Sequence, residues 1–211
     1  MPQSRVSSAT PIRELYGAIA SAEMAHGAVA TAAVAAGMGV SLLVMVAALP
    51  KTRSGSVDDR TALMGVMTTL ISAQRQLAQT LDAETIPQIV AARKMSQASD
   101  AQRAQREAAM QVALRTAADV PLEVMRLSAL GLKQAQTVAS RGCRAASSDT
   151  ELAVALLRIG LIGARSTLEQ KLGSLTDETY TQTVIDEIVR LSDEGTNAAN
   201  AAEAWLRVPP A

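Results

Sequence analysis

Residues 27–50 read GAVATAAVAAGMGVSLLVMVAALP, and this stretch decides the fold class. It holds no charged residue and ends on Pro50, which cannot continue a helix. Alanine, the strongest helix former, makes up half of residues 27–38, and valines are spaced singly among the small residues. The segment is long enough to cross a bilayer, and Lys51 and Arg53 follow it as a basic anchor would. Two features favour burial in a protein core instead. Ala and Gly add little insertion energy compared with Leu or Ile, and Arg5, Arg13, Glu14 and Glu23 interrupt any basic-then-apolar leader ahead of it. The reading is a buried central helix rich in Ala and Gly, with a membrane-associated helix as the alternative.

The rest of the 211 residues supports an all-α single domain. Hydrophobic residues make up 48%, yet there is no Phe, one Trp and two Tyr, against 41 Ala. Such a core suits close helix packing and lacks the aromatic residues that fill pleated sheets. Lys+Arg and Asp+Glu are 20 each, so the basic surplus of a nucleic-acid binder is missing. Cys143 is alone, which rules out an internal disulfide, and one histidine cannot build a His/Cys zinc cage; no metal site is expected.

Periodicity divides the chain into a bundle of about seven helices. Residues 1–9 read as a flexible tail, 10–207 as one helical domain and 208–211 as a short C-terminal tail. Pro11 opens a short helix carrying Ile12, Leu15 and Ile19 on one face. After the central helix, Asp58 or Asp59 can cap a helix with Leu63, Val66, Leu70, Ile71 and Leu77 on one stripe, ending near Leu81. A short helix is expected around Pro87. A helix carrying Met110, Ala113 and Leu114 should stop near Asp119, with Pro121 opening the next and Gly142 closing it. Ser148 and Glu151 have capping-box spacing ahead of a helix ended by Gly173, and a last helix runs over about 177–206.

Read in order, several motifs resemble the cyclodeaminase/cyclohydrolase family, which acts on one-carbon derivatives of tetrahydrofolate. Ala117-Ala118-Asp119-Val120-Pro121-Leu122 is similar to the family's Ala-Thr-(Asp/Glu)-Val-Pro-Leu helix start. Arg141-Gly142 followed by Ser148-Asp149 resembles its Lys-Gly-Asn…Ser-Asp element, and Asp82-Ala83-Glu84 its Asp-x-(Asp/Glu)-Ala-Phe element. The likeness covers about residues 14–191. It implies an all-helical homodimer in the cytoplasm that binds a tetrahydrofolate derivative as substrate, without a metal. The departures fall where chemistry is expected. The family's Ser-Pro-Thr-Pro-Gly-Gly-Gly-Ser run is here Ala22-Glu23-Met24-Ala25-His26-Gly27-Ala28-Val29, in which only Gly27 survives. Ala48, Pro87 and Ala145 stand at positions that are polar or aromatic-polar in the family.

The implied reaction adds water to, or expels ammonia from, a cationic methenyl or formimino carbon. It needs a carboxylate to handle a proton, a cation for the folate glutamate and an apolar slot for the pterin. Asp149 and Asp82 are the proton-handling candidates, and His26, the one imidazole, is a possible replacement base. Lys51 and Arg53 are the anion holders, and Gly27 and Ser148 line the expected site. That site is expected where the start of the central helix, the 51–53 loop and the 148–149 helix start converge. Each residue also has a plainer role: Asp149 as a first-turn dipole partner, Asp82 and Arg53 as surface, Cys143 as an inert thiol. Two classes of function stay open: a divergent folate one-carbon enzyme, and a non-catalytic helical scaffold or partner protein that kept the fold and lost the site.

Overall fold

The computed structural model describes residues 7–21, 27–83 and 86–207. Seven α-helices account for nearly all of them: α1 (Ile12–Ile19), α2 (Gly27–Ala48), α3 (Val57–Leu81), α4 (Ile86–Arg93), α5 (Asp100–Arg141), α6 (Ser147–Leu172) and α7 (Glu178–Leu206). A short 3-10 turn, Arg144–Ala146, joins α5 to α6, and no strand occurs among the described residues.

α2 is the central helix and packs against α6, α3 and α5. Its small residues set the spacing. A Cβ on Gly39 would stand 2.8 Å from the Ala153 carbonyl oxygen, and one on Gly163 would stand 3.1 Å from the Ala32 Cβ. Rising numbers on α2 meet falling numbers on α6, so the two helices are antiparallel. Val40, Leu43 and Val46 are fully buried on the inward side. Among the described residues α2 is the one helix long and apolar enough to cross a membrane, and half of it is buried inside this bundle.

α5 and α7 run parallel and are joined at heptad steps. Tyr180 donates its hydroxyl to Asp119 at 2.8 Å, Arg126 grips Glu187 through two hydrogen bonds of 2.9 and 2.8 Å, and Lys133 reaches Glu194 at 2.6 Å. Each pair lies seven residues beyond the last on both helices, the register of neighbouring helices that stay side by side. Leu132 and Leu161 close over Gly195 between them.

Three local expectations are corrected. α5 is one helix of 42 residues with Pro121 inside it, not two helices meeting at Asp119. Pro121 cannot donate to the Ala117 carbonyl, but Ala113, Ala117 and Ala118 before it and Leu122, Val124 and Met125 after it are all buried, and Ala118, Leu122, Val124 and Met125 share one core. Packing on both sides of the proline outweighs the lost bond. The cap of α3 is Ser56, whose hydroxyl accepts from the Asp59 N–H at 3.1 Å; Asp59 itself faces the preceding loop. The Ser148…Glu151 capping box does not form, because α6 begins at Ser147, after the 3-10 turn, and both residues already lie in its first turns.

Candidate functional site

The sequence candidates fall into two groups at opposite ends of α2. At 1.5 Å per residue, that helix separates them by about 33 Å. Within one chain the start of α2 and the 51–53 loop therefore do not converge.

At the first end, Gly27 opens α2 and lines a shallow groove of about 380 Å³ with Ile19, Thr31, Ile159 and Gly163. His26 lies outside the described residues. A larger groove of about 550 Å³ runs along the outer seam of α2, α3 and α6. Its lining is apolar apart from Ser41 and Gln74, whose side chains hydrogen-bond to each other at 2.6 Å. Leu77 and Leu81 of α3 form one wall of it, and the next residue is Asp82, the C-cap of α3. The Asp82 carboxylate accepts from the Ser8 N–H at 2.9 Å and from the Ser8 hydroxyl at 2.8 Å. Thus an exposed carboxylate stands beside the Leu81 end of an apolar groove that runs along α2 from Ala33 to Met45 and reaches Leu152 and Leu156 of α6.

At the second end, Lys51 is exposed, Ser148 is exposed, and Asp149 lies half-buried in the first turn of α6. Arg53 is committed to structure. Its N–H donates to the Arg141 carbonyl at 2.8 Å, its Nη2 donates to the Ala139 carbonyl at 3.0 Å, and its guanidinium lies 5.6 Å from the Trp205 ring centre. Burial, then the neighbouring Arg144 charge, lower its pKa. Arg60 likewise donates to the Ala47 and Leu49 carbonyls at 3.1 and 2.8 Å. Arginines thus satisfy the carbonyl ends of helices that meet here, where the helix dipole favours a cation. Asp59, only 7% exposed, anchors the loop: it accepts from the Ser54 hydroxyl and N–H and pairs with Arg141 at 3.2 Å. The Ser54 hydroxyl bond, ahead of the other contacts, holds its pKa below the usual carboxylate range.

Sequence reasoning missed Ser8, which it left in the loose tail, and the partnership of Asp119 with Tyr180. Asp119, the expected stop of a helix, lies mid-helix and takes the Tyr180 hydroxyl, whose pKa is pushed up to about 12 by burial first and by Asp119 second. The available signal was the heptad spacing of 119, 126 and 133 against 180, 187 and 194. Among the described residues, no group of three or more His, Cys, Asp or Glu is placed to hold a metal.

Residues 11–190 match the family described as formiminotransferase-cyclodeaminase. The methenyltetrahydrofolate cyclohydrolase of Methylorubrum extorquens is 27% identical over 185 residues, covering 87% of this chain and 89% of that protein. The solved structure of formiminotetrahydrofolate cyclodeaminase from Thermotoga maritima superposes with a TM-score of 0.81 at 20% identity, over 94% of this chain and 96% of the other, a likeness of fold.

Proposed function

The chain belongs to the formiminotransferase-cyclodeaminase family, and from that premise we propose that it hydrolyses the methenyl bridge of a tetrahydrofolate derivative. The observation that carries this reading is the relative named for that reaction, which aligns over 87% of the chain. The reaction forms a bond from water oxygen to the methenyl carbon, opens one C–N bond to leave a formyl group, and releases a proton. A carboxylate that takes the proton from water, beside an apolar slot for the pterin, is the minimum equipment.

Asp82 is the proton acceptor in this reading, with Gly27 at the same end of α2; His26, next to Gly27 in sequence, stays a candidate second base. The seam beside Asp82 supplies the apolar slot. Lys51, Arg53, Ser148 and Asp149, at the far end, take surface and helix-terminus roles. Turnover is slower than in a relative with the full glycine run. Ala28 and Val29 put side chains where glycines would let backbone N–H groups approach, and losing one such donor commonly costs about 10²–10³ in rate.

The active form in this reading is a cytoplasmic homodimer. Met38 and Met45 of α2 and Leu152 of α6, which line the groove, and Ile159 and Ile162 of α6 are exposed apolar residues along the seam, with Ile162 at 63% exposure, so in this reading the slot lies at the interface between copies. The α2 side of the seam carries no charge, as expected for the core of an interface between copies. Calorimetric titration with formyltetrahydrofolate, the product, tests the ligand class directly. Saturable binding is expected; no heat of binding at millimolar ligand contradicts the proposal.

A further inference from the structure

We propose that Ser8 is the positioning residue for the Asp82 carboxylate, an inference that rests on Asp82 as the proton acceptor of the proposed reaction. A carboxylate at a helix C-cap is badly placed in the absence of other partners. It cannot donate to the free carbonyls of the last turn, and it faces the negative end of the helix dipole. Asp82 occupies that position at the end of α3, yet it is gripped from 74 residues away by both donors of one serine. The Ser8 N–H takes Oδ1 at 2.9 Å and the Ser8 hydroxyl takes Oδ2 at 2.8 Å.

The fork is prepared before it meets the carboxylate. Residues 7–10 close a small turn, with the Thr10 N–H on the Ser7 carbonyl at 3.1 Å and the Ser7 N–H on the Thr10 hydroxyl at 2.9 Å. This turn leads through Pro11 into α1, whose Leu15 and Ala18 are buried. The donors are therefore tied to a packed helix and not carried on a free chain end. A Ser8 donor on each oxygen fixes the carboxylate plane. Ser8 orients the base without touching substrate.

The test is the steady-state hydrolysis of methenyltetrahydrofolate by the full chain and by Ser8→Ala, Ser8→Thr, Asp82→Asn and the Ser8→Ala/Asp82→Asn pair, each with a thermal melt. The clamp predicts that Ser8→Ala lowers kcat about ten-fold with KM within two-fold and the melt unchanged, because misorientation costs rate rather than binding. Ser8→Thr, which keeps both donors, restores kcat, and Ser8→Ala adds nothing once Asp82 is gone. Full kcat in Ser8→Ala alongside an inactive Asp82→Asn overturns the clamp and leaves Asp82 as the base. A lower melt in Ser8→Ala without rescue by threonine also overturns it, as a structural effect. Undiminished turnover in Asp82→Asn, or no turnover by the unsubstituted chain, removes the reading of Asp82 and the clamp together.

Discussion

Gly160 of α6 rests directly on Ala36 of α2: a Cβ on the glycine would stand 2.8 Å from the alanine's own, and 2.8 Å from the Ser128 hydroxyl of α5. Three helices therefore meet at a point with no room for one methyl group. Gly160→Ala is expected to destabilise the fold by about 1–3 kcal/mol through overpacking. Gly65 in α3 has no atom within 4 Å of such a Cβ. Gly65→Ala should stabilise by about 0.5–1 kcal/mol by removing backbone freedom from a helix interior. Urea denaturation of the two variants checks both signs.

Asp59 gives a pH-dependent prediction. Its pKa is depressed in the folded chain, first by the Ser54 hydroxyl. A depressed carboxylate stabilises the fold above its unfolded pKa, about 3.9, and that contribution fades as pH falls through the folded value. Asp59→Asn should melt below the unsubstituted chain at pH 7, and the gap should narrow as the pH is taken below about 4. A gap that is constant across this range would show that the charge on Asp59 is not what holds the loop.

The exposed strip on α2 and α6 predicts a self-association that a single charge abolishes. The unsubstituted chain should run as a dimer in size-exclusion chromatography with light scattering, and Ile159→Glu, at a position already 53% exposed, should run as a folded monomer. A glutamate buried in an apolar interface without a partner costs several kcal/mol. A monomeric unsubstituted chain would contradict the homodimer.

Helix existence and the buried central helix were legible because they depend on local composition: the charge-free alanine run and the stripe from Leu63 to Leu77 behave as their spacing implies. Pro121 was misread because a proline is a local stop signal, whereas the burial that carries α5 through it comes from residues distant in sequence. The same limit hid the site's geometry. That residues 27 and 53 lie a full helix apart follows from α2 being one unbroken helix. The grip of Ser8 on Asp82 spans 74 residues and leaves no periodic trace. Family motifs could point to Asp82 and Asp149 alike; only the fold separates them to opposite ends.

Asp82 beside Leu81 at one end of the groove, against Asp149 one turn ahead of Leu152 at the other, is therefore the sharpest division between the candidates. The measurement that tests it is the loss of the methenyl absorbance band of methenyltetrahydrofolate in matched buffer, followed with the unsubstituted chain, Asp82→Asn and Asp149→Asn. The account predicts a rate above the buffer blank for the unsubstituted chain, a fall to the blank for Asp82→Asn, and most of the rate kept by Asp149→Asn. A rate equal to the blank for the unsubstituted chain, or a loss confined to Asp149→Asn, would contradict it.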